Sequence, residues 1–165
     1  MTIMPKYHLL KGDIMRRTIL AVLILFLMQP LWGQSNEVLD KFLSQDRADL
    51  ETSLWLILLA SENLPSDASP QDVYPVLSSY SSTAHLDMSG LNNTVSFGEF
   101  AYAAMDIMNL PGGLLYTIFP SRRYAAKEFK FRGWIPGDPY PGEELTPWEV
   151  TTAISEILAW KEDGQ

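Results

Sequence analysis

Five of the eight basic residues that follow position 33 fall within eleven positions: Arg122, Arg123, Lys127, Lys130 and Arg132. On a helix Arg123, Lys127 and Lys130 share one side, where they could meet a phosphate- or carboxylate-bearing polymer or an acidic partner. The alternative is a solvated side balanced by the protein's own carboxylates. Immediately downstream, Trp134, Tyr140 and Trp148 surround a proline-rich loop with Asp138, Glu143 and Glu144. Aromatic rings beside carboxylates can form a shelf for sugars, and paired carboxylates can hydrolyse glycosides. The same residues serve equally well as a loop packed over two helix ends. Asp138 and Glu149 also stand as positions 1 and 12 of a calcium loop, but Tyr140 and Gly142 replace inner ligands and Glu143 replaces the turn glycine. No metal or cofactor is expected. His85 is the one histidine after position 33 and the chain has no cysteine, so neither a transition-metal cluster nor a Cys–His nucleophile is available. Pro111-Gly112-Gly113 neither follows a strand nor carries the lysine of a phosphate loop, and Asn92-Asn93-Thr94 is a glycosylation acceptor only in a eukaryotic source.

The elements around these residues start with two matching devices fifty positions apart. Val95-Ser96-Phe97-Gly98-Glu99-Phe100 and Leu145-Thr146-Pro147-Trp148-Glu149-Val150 each hold a capping box, Ser96 with Glu99 and Thr146 with Glu149, flanked by a hydrophobic staple. They predict helices over 97–109 and from 147 to about 161. A helix at 124–132 closes at Gly133, and 134–144 is a loop. Earlier, Ser35-Asn36 caps a first helix with Val38, Leu39, Phe42 and Leu43 on one side, and Asp46 restarts it. Leu54 to Leu59 make an apolar surface wide enough to be a buried core helix, or one covered by a partner. Asn63-Leu64-Pro65 ends that helix. Ser69-Pro70-Gln71-Asp72 opens a short one limited by Pro75, and 85–94 is a loop. With no alternating strands, the fold class is all-α.

Met15-Arg16-Arg17, the apolar run Thr18–Met28 and Pro30-Leu31-Trp32-Gly33 read as a secretory signal peptide over 1–33, with cleavage expected after Gly33, Met15 as an alternative start and an uncleaved N-terminal anchor as the alternative reading. The apolar run is too short to span a bilayer comfortably. Without the first 33 residues, which hold four basic and one acidic side chain, the formal charge moves from −8 to −11. Such an acidic chain is a poor general binder of nucleic acid.

The segment from Tyr124-Ala125 through Gly133-Trp134-Ile135, Gly137-Asp138 and Leu145-Thr146-Pro147-Trp148-Glu149 resembles an S-layer homology domain, and Ser96 to Leu110 resembles the second half of a preceding, degenerate repeat. The resemblance implies short helix-loop-helix repeats at 66–110 and 111–163, packed with an N-terminal helical segment at 35–64. It implies a non-enzymatic, exported envelope or periplasmic module whose partner is a cell-wall polymer or an envelope protein, with membrane contact only through the signal segment before cleavage. A subunit of a periplasmic assembly and a small carbohydrate-active enzyme are the alternatives. The family's polymer-binding arginine in its Thr-Arg-Ala-Glu motif is replaced by Phe97 and Pro147, so polymer binding through that position does not transfer.

Overall fold

The structure is a computed structural model that describes residues 34–86 and 93–164. The signal segment 1–33, and Asn92 of the glycosylation triplet, lie outside the described residues.

Seven α-helices and two 3₁₀ turns make up the described chain: α1 Gln34–Leu43, α2 Leu50–Ala60, 3₁₀ Pro70–Asp72, α3 Val73–Leu77, 3₁₀ Ser81–His85, α4 Phe97–Ile107, α5 Leu114–Ile118, α6 Arg122–Arg132 and α7 Pro147–Glu162. The fold is all-α. Two isolated β-bridges, Asp49 with Thr94 and Ser96 with Glu144, are the extended pairings among the described residues.

Each long helix starts and stops for a local reason. At α4, Ser96 Oγ accepts from Glu99 N–H at 3.4 Å and the Glu99 carboxylate accepts from Ser96 N–H at 3.1 Å. At α7, Thr146 and Glu149 repeat the box at 3.3 and 2.8 Å, with Pro147 at the first helical position. The staple residues Val95, Phe100, Leu145 and Val150 are all buried. Gly133 closes α6 in the left-handed region at φ 72°, and Trp134 N–H reaches back to the Phe129 carbonyl at 3.0 Å. The same return bond closes α4 (Leu110 N–H to Met105 O, 2.9 Å) and α2 (Asn63 N–H to Leu58 O, 3.0 Å), there with Asn109 and Glu62 at positive φ.

Three sequence expectations shift. The first helix already includes Gln34, so Ser35 and Asn36 lie inside its first turn rather than capping it. The second helix starts after Asp49, not at Asp46. Ala48 is held in extended pairing with Leu145 and Val95, so helical geometry begins only beyond it, and Asp49 Oδ1 accepts from Thr52 N–H at 2.7 Å. Finally, α5 lies where only a breaker was read: Gly113 precedes it and Pro120 follows it.

The core runs across α2, α4, α6 and α7. Leu54, Trp55, Ile57 and Leu58 are buried within the unit itself, so this surface is core and needs no partner to cover it. An aromatic chain links the helices edge to face: Phe129 meets Phe97 at 6.2 Å, Phe100 at 6.0 Å and Trp134 at 5.4 Å, and Trp134 meets Trp160 at 5.2 Å. All the described buried apolar side chains fall within the compact unit Ser35–Gln165, which therefore carries its own core.

Candidate functional site

The three longest core helices other than α6 begin at one place. Just before α2, α4 and α7, the residues Ala48, Val95 and Leu145 form a closed ring of backbone hydrogen bonds. Ala48 N–H donates to Leu145 O (2.8 Å), Leu145 N–H to Val95 O (3.0 Å) and Val95 N–H to Ala48 O (2.9 Å). The next residue in each strand of chain is the N-cap: Asp49, Ser96 and Thr146. Each ring residue is fully or nearly fully buried, and its donor and acceptor are both used, as burial demands. Two further bonds widen the junction, Leu50 N–H to Asn93 O at 2.9 Å and Phe97 N–H to Glu143 O at 2.8 Å.

The position after each cap holds Leu50, Phe97 and Pro147, all buried. The position after each cap is therefore filled three times by packing. Glu99 and Glu149 reach their own caps, and Glu99 also takes an ion pair from Arg122, Nη1 to Oε1 at 2.9 Å. The start of α2 was not legible from the capping pattern, because Thr52 stands where the other two have glutamate and Ser53 where they have the apolar staple residue. The matching stop was visible: Asn-Leu-Pro recurs at 63–65 and 109–111.

The basic cluster divides. Arg122 faces Glu99, Lys130 pairs with Asp138 across the loop at 2.6 Å, and Arg132 pairs with Glu128 at 3.8 Å and donates to the Pro111 carbonyl at 2.8 Å. The Arg132 guanidinium also lies 5.0 Å from the Trp134 ring and 5.1 Å from Trp160, close enough for cation–π attraction to both. Arg123 and Lys127 remain exposed. Lys127 sits 5.4 Å from the Tyr124 ring, and Arg123 makes no ion pair among the described residues. Of the expected face, then, Lys130 is turned to the protein's own carboxylate.

The aromatic loop divides too. Trp134 is buried and belongs to the core, whereas Tyr140 and Trp148 are exposed. The carboxylates beside them have structural partners. Asp138 holds Lys130, Glu143 accepts from Tyr140 N–H at 3.1 Å, and Glu144 accepts from Thr94 Oγ1 at 2.7 Å while lying 3.8 Å from Arg47. Among the described residues no three His, Cys, Asp or Glu side chains converge to hold a metal ion. Sequence reasoning missed the exposed apolar side chains of α5, Leu114, Leu115 and Ile118, with Phe119 just past its end, and Phe131 on α6. The signal was present in the run Leu-Leu-Tyr-Thr-Ile-Phe after two glycines, too short to show a period.

Two phenols near the end of α4 depart clearly from their ordinary values. Burial, with smaller contributions from Tyr102 and Asp106, pushes the Tyr116 phenol well up. Burial and then Asp106 raise Tyr80. Both surround the end of α4, where Asp106 accepts from Ser82 N–H at 2.8 Å and Ser81 Oγ at 3.2 Å. No protein-family model, no curated protein and no solved structure matches this chain.

Proposed function

We propose that the chain is a non-enzymatic interaction module of the cell envelope, exported by its N-terminal segment and built on three degenerate repeats that resemble S-layer homology units. The observation that carries this reading is the ring of backbone bonds through Ala48, Val95 and Leu145. Three helix starts with equivalent cap positions, spaced 47 and 50 residues apart, meet in one closed hydrogen-bonded junction. The N-terminal helical segment, read from sequence as packed with the repeats but not as one of them, then becomes a unit of the same kind as 66–110 and 111–163. The packing agrees with a repeating plan: the 3₁₀ turn and α3 of the second unit rest on α2 of the first, and α6 of the third rests on α4 of the second.

Leu50, Phe97 and Pro147 at the arginine positions favour a scaffold over a polymer receptor at that site, and leave contacts to the outer surface of α5, α6 and the 134–148 loop. The structural commitments of Asp138, Glu143 and Glu144 speak against a glycosidase pair, which needs two carboxylates flanking an open cleft.

The test is retention of Ser35–Gln165 on purified sacculi and, in parallel, on immobilised envelope extract at low and high salt. Salt-sensitive retention on sacculi, lost in Arg123→Glu with Lys127→Glu, identifies a wall polymer as the partner. Retention of one extract protein, with nothing on sacculi, identifies an assembly subunit. Absence of both, with an intact helical circular-dichroism signal, ends the proposal.

A further inference from the structure

We propose that α5 and the outward side of α6 form a docking face for a lipid bilayer surface bearing anionic headgroups. Helix α5 turns only Tyr116 toward the protein, edge to face with Tyr102 at 6.3 Å. Its other large side chains point to water: Leu114 is 75% exposed, Leu115 51%, Ile118 54% and Phe119, just past its end, 60%. Single exposed apolar residues are ordinary, but four within six positions mark a contact surface. The helix is also fixed in place. Arg132 holds the Pro111 carbonyl ahead of it, and Gly113 lies so close to Glu128 that a Cβ there would stand 2.7 Å from the carboxylate.

The neighbouring helix adds charge to this apolar surface. Arg123, Lys127 and Phe131 are four residues apart along α6 and so line one side of it, and all three are exposed, Phe131 at 88%. The C-terminal end of α6 that carries Phe131 is the end tied to the start of α5 through Arg132 and Pro111. In a chain of net charge −8, the cations turned outward on α6 are thus beside protruding apolar side chains. That combination suits an interface of acyl chains beneath anionic headgroups, where apolar side chains insert and Lys or Arg adds attraction at the surface. A second copy placed isologously on the same face would bring a second Arg123 and a second Lys127 into one interface. The overall negative charge does not forbid approach, because at physiological ionic strength it is screened beyond about 8 Å. Among the described residues no helix is long and apolar enough to cross a membrane, and this attachment requires none. It does not need the repeat reading, but it shares Arg123 and Lys127 with the surface proposed above for envelope contact, and vesicles that carry no wall polymer separate the two.

The experiment is flotation of Ser35–Gln165 with vesicles of phosphatidylcholine alone and of phosphatidylcholine mixed with phosphatidylglycerol, at low and high salt. The expected result is binding to the mixed vesicles that weakens with salt. Arg123→Glu with Lys127→Glu lowers it by roughly tenfold or more, and Leu114→Asp with Ile118→Asp removes it while the circular-dichroism spectrum is kept. Phe131→Ser, at the most exposed position, weakens binding and supplies a second reading should the α5 variant fold poorly. Equal binding to neutral vesicles, unchanged binding of the charge-reversed variant, or no binding at either salt overturns the proposal. So does a wild-type dimer in solution that Leu114→Asp with Ile118→Asp converts to a monomer, since the face then belongs to a second copy.

Discussion

The junction where α2, α4 and α7 begin and the face formed by α5 and α6 are built on opposite terms. At the junction, Ala48, Val95 and Leu145 are buried, every ring N–H and C=O is paired, and the residues after the caps are sealed in the core. On the α5 face, four large apolar side chains and Phe131 stand in water beside two outward cations. The first arrangement satisfies all its groups internally and so contributes to stability. The second leaves favourable burial unmade, which is what an interaction surface must do. The two regions should therefore respond to substitution in different ways.

The largest effect is expected where α6 is anchored to the core. Phe129→Ala removes a fully buried ring that touches Phe97, Phe100 and Trp134, and should cost about 3–5 kcal/mol in chemical denaturation. A loss under about 1 kcal/mol would mean that the aromatic chain is not the link between the two regions.

Next comes Gly98→Ala at the edge of the junction. An added Cβ would stand 2.8 Å from the Pro141 carbonyl oxygen, which accepts the Gly98 N–H at 2.7 Å, and 3.2 Å from Arg122 Cβ. Backbone must shift to admit it, at about 1–3 kcal/mol. Thermal unfolding of this variant beside wild type measures the tightness of the junction directly.

The caps come third. Thr146→Ala and Asp49→Ala should each cost about 1 kcal/mol. Equal losses would place the unboxed start of α2 on the same footing as the boxed start of α7. A negligible loss at Asp49 would instead show that the ring, rather than the cap, sets where α2 begins.

The alkaline limb probes the border between the regions, where Tyr116 fastens α5 to the core. Its folded-state phenol lies above the ordinary value of 10.0, chiefly through burial, so in the unfolded chain it loses its proton first. Stability contributed there is intact below pH 10.0 and falls as pH rises beyond it. Following phenolate absorbance together with helicity should show one phenol ionising only as structure is lost. Tyr116→Phe should remove that coupled step.

The smallest effect belongs to the face itself: Leu115→Ser should change stability by less than about 0.5 kcal/mol, because the side chain is already half in water. A larger loss would move α5 from the interaction surface into the core.

Much of the fold was legible because its signals are local. Ser96 with Glu99 and Thr146 with Glu149 sit three residues apart, and Gly133 stops α6 through its own φ. A capping box depends on little beyond its own turn, so it reads the same in sequence and structure. The candidate surface was less legible. Glu128 and Arg132 are four apart and could be paired from sequence, but Arg122 finds Glu99 and Arg132 finds Pro111 only through the packing of α6 on α4 and α5. Trp134 looked like an available ring because the loop beside it is polar and proline-rich. Its burial depends on Phe129, five residues back on α6, and on Trp160, which approaches from α7.

The sequence by itself determined the all-α class, the capped starts of α4 and α7, the stop of α6 at Gly133 and the absence of cysteine chemistry, because each follows from neighbours along the chain or from composition; α6 begins two residues earlier than expected, at Arg122, and α4 ends two residues earlier, at Ile107. Only the tertiary structure decided that α2 begins at Leu50 rather than near Asp46, which cations turn outward, and that α5 presents its apolar side chains to water. Those outcomes depend on Ala48 meeting residues 47 and 97 positions away, and on helices that a local pattern cannot bring together.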